Sequence, residues 1–308
     1  MLDRVVHRIK RLFLRLLIKA RKISIPGFDG IPLYDVMLFF YRSVVDSSFT
    51  TRASAIAFSF FLALFPAVIF LFTLIPYIPI RNFQAELFLL IRDLLPASTF
   101  VAVEGTIQDI LTKPRGGLLS LGFFMALIFS SNGLVSMMNA FDSSLHTIEK
   151  RNWLDQRLIS ILLLFILSVL LALAIALIIT GQYAINYLDN ESSFVGSRLT
   201  YYLLSMARWM ITIALFFFAY SSLYFFAPTK KTRWRFISPG STLATILSIF
   251  VLIGFGYYIT RFGQYNQLYG SIGTLLVILL LSYLMSLILL IGFELNNSIT
   301  AARRKNIR

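Results

Sequence analysis

The sequence predicts an all-α, polytopic membrane protein: a bundle of about six transmembrane helices with a basic amphipathic N-terminal helix. Composition, long apolar runs and the placement of charge carry that prediction. Of 308 residues, 58% are hydrophobic and 14% charged, against roughly 45–50% and 25% in soluble domains. Mean hydropathy is +0.79. A water-soluble fold of this length would lack the polar surface to cover itself.

Six stretches are long enough to cross roughly 30 Å of hydrocarbon, which takes about 20 helical residues. They are residues 53–77, 118–141, 158–180, 206–227, 240–260 and 272–291. The third carries no charge at all. The first contains Pro66, which removes a backbone donor and is expected to kink the helix. Segment 78–117 is too long for a simple hairpin. Its apolar periodicity predicts two short helices near 85–95 and 101–111, separated by Pro96.

Charge sets the expected orientation. Residues 1–52, 142–157, 228–238 and 301–308 hold 21 Lys and Arg, while 78–117, 181–208 and 261–271 hold 7. Cytoplasmic loops collect positive charge, so both termini are expected in the cytoplasm of a bacterial cell with the chain in its inner membrane. Residues 1–30 form a separate basic segment before the transmembrane domain, 31–302, and the basic tail, 303–308. Within 2–20, Leu2, Val5, Ile9, Leu12, Leu16 and Ala20 recur at helical spacing, with Arg4, Arg8, Arg11, Arg15 and Lys19 largely opposite. Such a helix suits the anionic cytoplasmic leaflet, making membrane lipids the expected partner; packing on other cytoplasmic parts of the chain is the plainer alternative. A second amphipathic piece, about 33–45, leads into the first span.

The net charge of +14 would suggest nucleic acid in a soluble protein. The loop bias accounts for it here, and no specific nucleic-acid partner is expected. The chain has no cysteine and two histidines, His7 and His146. Disulfides, thiolate metal sites and a cysteine nucleophile are excluded, and no cofactor or metal is expected.

Polar groups inside a bilayer mark function or helix packing. In the second span Asn132, Ser136, Asn139 and Ser143 fall on one helical face. Asp142 lies near that stripe, Arg52 precedes the first span, and Glu294 and Asn296 follow the sixth. Counted along their helices, Arg52, Asp142 and Glu294 share a depth near the cytoplasmic headgroups. Two readings stand for these residues together: an interfacial salt-bridge cluster that fixes helix ends, or a site for a charged headgroup or coupling ion at the mouth of a path. On the outer face, Tyr265, Tyr269, Gly270 and Gly273 suit a tight turn between the last two spans, although tyrosine favours interfaces in any case.

Several of these stretches resemble the YihY/BrkB family. They are Thr51-Arg52-Ala53-Ser54-Ala55-Ile56-Ala57-Phe58 running on to Pro66, Met138-Asn139-Ala140-Phe141, Trp234-Arg235 with Ser238-Pro239-Gly240, Tyr265 with Tyr269-Gly270-Ser271-Ile272-Gly273, and Phe293-Glu294-Leu295-Asn296. The resemblance implies a six-helix inner-membrane protein whose relatives have been labelled ribonuclease, virulence factor and transporter. Hydrolytic RNA cleavage needs clustered ligands or an acid/base pair. Here the histidines have no such neighbours in sequence and the acids are scattered, so no enzyme activity is expected. A transporter or flippase of a lipid or other amphiphile fits best. The alternative is a non-transporting scaffold for envelope integrity, and an intramembrane enzyme is the weakest of the three.

Because the chain lacks cysteine, single cysteines can be labelled without background. One introduced at Ser192 is expected to react with a membrane-impermeant maleimide on intact cells, and one at Thr229 is not. Reversed labelling overturns the orientation.

Overall fold

A computed structural model describes residues 24, 27–28, 30–77, 84–85, 88–89, 92, 104–105, 108–109, 111–145, 151–191, 198–229, 236–261 and 271–307. The long helices are α1 (Leu33–Val45), α2 (Ser47–Leu74), α3 (Gly116–Ser144), α4 (Trp153–Glu191), α5 (Arg198–Phe226), α6 (Pro239–Arg261) and α7 (Ser271–Ile307). Six of them are long and apolar enough to span a membrane, over Ser48–Phe70, Gly116–Ser144, Trp153–Ala174, Trp209–Phe226, Pro239–Ile259 and Leu275–Lys305. Their outward faces are apolar: Leu158, Leu162, Phe165 and Val169 of α4 are all exposed, Phe165 by 67%. That is the reverse of a soluble bundle and matches acyl chains as solvent.

The basic helix at 2–20 lies outside the described residues, as do Tyr265, Tyr269 and Gly270. Gly273 sits buried near the start of α7, and Pro66 is a buried residue within an unbroken α2. The described residues at 84–85, 88–89, 92, 104–105, 108–109 and 111–112 are helical, in the segment where two short helices are expected. The last helix differs from expectation. It continues past residue 291 to Ile307 and absorbs most of the basic tail. No proline interrupts it, and Arg304 and Lys305 in its last turn favour the negative end of the helix dipole.

The chain divides into two compact units, Phe58–Gly133, and Met1–Ala57 with Leu134–Arg308. In the smaller unit α2 and α3 pack antiparallel. A methyl group placed on Gly122 would stand 3.3 Å from the Phe70 backbone, and one on Gly133 would stand 3.0 Å from the Phe60 ring. Outside the spans, a hydrogen bond from Lys113, aided by the nearby Arg115, holds the Asp109 carboxyl below its ordinary value.

In the larger unit α7 packs on α6 and α1, and α5 packs on both α4 and α6. α1 follows Pro32, carries Asp35 in its first turn and Arg42 in its last, and buries Val36 against Leu295, Ile299 and Ala302 of α7. From Gly292 to Leu295 every residue of α7 is buried, so this stretch is enclosed on all sides. Its closest neighbours are α6 and Tyr224 of α5. A methyl group on Gly292 would lie 2.6 Å from the Gly240 carbonyl oxygen, 2.9 Å from the Ala244 Cβ, and closer still to the Tyr224 hydroxyl. Small residues that let backbones approach replace the hydrophobic effect as the packing device in lipid.

Gly292→Ala is therefore expected to lower the thermal unfolding midpoint of the purified protein, at a cost of about 1–3 kcal/mol for overpacking. Gly254→Ala, where an added methyl meets nothing within 4 Å, is the control and should be neutral or slightly stabilising, since helical alanine is favoured over glycine. Equal effects of the two substitutions overturn the close-approach account.

Candidate functional site

The buried stretch of α7 holds the one carboxylate that is almost wholly enclosed among the described residues, Glu294, 1% exposed. Its partner is Arg52, 13% exposed. Arg52 follows Phe49 by three residues and precedes Ile56 by four, and both of those are buried. Helical spacing thus directs its side chain inward, and the guanidinium lies 5.8 Å from the Phe49 ring centre. Nη1 and Nη2 both donate to Glu294 Oε1 at 3.2 Å. Nη1 also donates to the Ala140 carbonyl at 3.1 Å and to the Ser144 hydroxyl. Nε lies 3.4 Å from the Ser48 carbonyl. Ser144 Oγ in turn donates to Glu294 Oε1 at 2.6 Å. One carboxylate oxygen therefore gathers donors from α2 and α3. The other, Oε2, is buried and accepts no hydrogen bond.

The residues beside Glu294 fasten other chain ends. Asn296 Oδ1 accepts the Gly240 N–H at 2.8 Å, and its Nδ2 donates to Ser238 Oγ at 2.9 Å. Ser238 Oγ also accepts the Ser241 N–H at 3.2 Å. The first turn of α6 is thereby capped, satisfying donors that a helix start leaves open. Asn297 Nδ2 donates to the Ser144 carbonyl at 3.1 Å and closes the last turn of α3. On the other side of Glu294, Phe293 stacks on Phe141 with ring centres 3.9 Å apart.

Of the three residues grouped by depth in the sequence, Arg52, Asp142 and Glu294, the structure joins Arg52 and Glu294. Asp142 is elsewhere: its Oδ1 accepts the Thr229 N–H at 2.9 Å and its Oδ2 the Thr229 hydroxyl at 2.6 Å. Arg151 donates to the Pro228 carbonyl at 3.1 Å in the same turn. Asn139 Oδ1 accepts from Gln156 Nε2 of α4 at 2.7 Å, and Asn296 serves α6. The reason is azimuth. Asp142 and Ser144 differ by about 200° around α3 at 100° per residue, so the helix that presents Ser144 to Glu294 turns Asp142 away. Ser144 had no signal of its own in the sequence beyond its spacing of four from Ala140.

The stripe on α3 keeps one face. Asn132, Asn139 and Ser143 are exposed and Ser136 is half-buried, while Leu134, Met138 and Phe141 are buried on the other side. The same outward line is apolar further up the helix, with Leu121, Met125 and Ile128 exposed. Midway along α3, the face away from the core changes from apolar to polar.

Comparison with known proteins places these features. The family model described as virulence factor BrkB matches residues 40–308. A ribonuclease-like protein, YfkH, of Bacillus subtilis (strain 168) is 33% identical over 80% of this chain and 88% of its own. A UPF0761 membrane protein of Aliivibrio salmonicida (strain LFI1238) is 27% identical over 86% of this chain and 83% of its own, and one of Idiomarina loihiensis is 26% identical over 71% and 72%. No solved structure matches. With its six apolar helices, and with Arg52, Ser144 and Glu294 all inside the matched region, this chain is a membrane protein of the BrkB family.

Proposed function

We propose that the protein moves a lipid or another amphiphile across the cytoplasmic membrane, with both termini and the Arg52–Glu294 end of the bundle in the cytoplasm. The observation that carries this reading is the polar half of α3's outward face. Asn132 lies 12 residues from Ser144, about 18 Å along the helix at 1.5 Å per residue, which is well inside the hydrocarbon for a span ending at Ser144. A run of amides and hydroxyls at this depth gives a headgroup travelling inward from the cytoplasmic leaflet polar groups to exchange hydrogen bonds with, while its tails remain in lipid. No route for a small hydrated solute is needed, and apart from Glu294, which is paired with Arg52, none of the six spans carries an acid in its central third.

A scaffold is the second reading. The Asn139–Gln156 hydrogen bond joins α3 to α4, as a packing role requires, and the outward amides could equally bond a second copy. Proteoliposomes separate the two readings. Asn132→Leu is expected to slow movement of a fluorescent phospholipid at least about tenfold, which is about 1.4 kcal/mol on the barrier, with normal abundance. Wild-type movement in the variant overturns the track, and loss of the folded protein or of an oligomer favours the scaffold.

The relative's ribonuclease-like name raises a nuclease as a third possibility, and we place this chain outside that class. Three of its acids are committed to structure: Glu294 to Arg52, Asp142 to Thr229, and Asp109 to Lys113 and Arg115. Among the described residues no three His, Cys, Asp or Glu come together as metal ligands. Purified protein is expected to leave RNA intact with or without magnesium or manganese. Cleavage that persists through purification and disappears in a single acidic-residue variant overturns this.

A further inference from the structure

The two oxygens of Glu294 are unequally served. Oε1 receives Arg52 Nη1, Arg52 Nη2 and Ser144 Oγ, while Oε2 is buried with no partner. One turn further along the same face of α7, Ser298 Oγ is also buried and also unpartnered. A carboxylate that served only to tie helices would gain by filling both oxygens, because a buried acceptor left unsatisfied is costly, the more so when charged. We infer that Glu294 is a reversible proton-binding site, taking the proton on Oε2, and that the proton is the ion to which movement of the amphiphile is coupled.

Size and charge select the proton. Oε2 has essentially no accessible surface, so nothing larger reaches it without rearrangement. A metal cation there would lie beside the Arg52 guanidinium, which already holds the opposite oxygen. A proton adds to an Oε2 lone pair, forming the O–H bond and leaving the carboxyl neutral, and Ser298, one turn along, offers a buried hydroxyl without a partner toward which the new donor can turn. Arg52 then loses its counter-charge and keeps the Ala140 carbonyl and the Ser144 hydroxyl. The tie from α2 and α3 to α7 is weakened, and that from α2 to α3 is retained.

Several charged and titratable groups on the surrounding elements are bonded elsewhere. α2 supplies Arg52 itself, and Asp142 of α3 is bonded to Thr229. Tyr224 of α5 donates to the Leu289 carbonyl at 2.9 Å. Asp35 of α1 lies 3.9 Å from Lys305, further along α7. α6 contributes hydroxyls at this end, Ser238 and Ser241.

The coupling rests on the proposed transport, but the proton site does not, and the test treats them apart. Infrared difference spectra of the protein in lipid nanodiscs, taken from alkaline to acidic buffer, are expected to show a protonated-carboxyl band that is absent in Glu294→Gln. Arg52→Gln should move the midpoint of that band up by at least about one pH unit, a tenfold gain in proton affinity, and Ser298→Ala should move it down. These two shifts report on the site even if Glu294→Gln fails to fold. A band unchanged in Glu294→Gln, or a midpoint indifferent to both Arg52 and Ser298, overturns the proton site whatever lipid movement does. With the site intact, equal lipid movement in the presence and absence of a pH gradient overturns the coupling alone.

Discussion

The structure depends on one buried charge pair. Removing an arginine and a glutamate from water costs several kcal/mol for each ion, and their attraction repays that only with good geometry and further hydrogen bonds. Arg52 meets the condition: its guanidinium reaches a carboxylate, a hydroxyl and a carbonyl together. The carboxylate meets half of it. Set against a well-packed apolar pair, such an arrangement brings little net stability, whereas loss of one partner costs about 3–5 kcal/mol. What the pair supplies is position. It fixes the start of α2 and the end of α3 against a single point on α7, at the end of the bundle where the loops are basic.

Everything near that point is arranged to let α7 occupy the centre. Gly292 and Gly240 allow α6 to approach at backbone distance, Phe293 stacks flat on Phe141, and Asn296 and Asn297 close the ends of α6 and α3. In a membrane the apolar effect cannot draw helices together, since lipid is as apolar as leucine. Close packing and interhelical hydrogen bonds must do so. The segment 292–297 concentrates both, and this explains how a helix rich in Leu and Ile elsewhere can be placed uniquely.

Hydropathy made the six spans legible, because the bilayer demands unbroken apolar helices and the sequence has six runs that comply. Shared depth at the ends of their spans put Arg52 in one group with Glu294 and Asp142, without telling which carboxylate it meets. Depth is one coordinate, and the others need azimuth. Asp142 and Ser144 stand at nearly one depth on opposite sides of α3, and only the packed structure tells which one meets Glu294. Asn296 capping Gly240 and Asp142 capping Thr229 join residues 56 and 87 positions apart, and no local pattern announces such partners. The full length of α7 has a similar origin: hydropathy falls after residue 291, while the helix continues to Ile307 with α1 packed along it.

α3 links the two features on which the functional reading rests. Its inner face, Ala140 and Ser144, holds the arginine of the pair, and its outer face presents Asn139 and Ser143. Ser143 and Ser144 are adjacent residues on a stiff helix, so a change in how Ser144 is held cannot leave Ser143 where it was. Under the proposed mechanism, protonating Glu294 removes the charge that binds α2 and α3 to α7 but leaves Arg52 bonded to α3. The two helices would then respond together, and the polar face of α3 would shift relative to α7 without any hydrogen bond breaking within the helix. A small chemical event at a buried oxygen is thereby transmitted to a lipid-facing surface through one turn of helix. The same geometry requires that the outer face depend on the pair more strongly at Ser143 than at Asn132, which lies about three turns further from it.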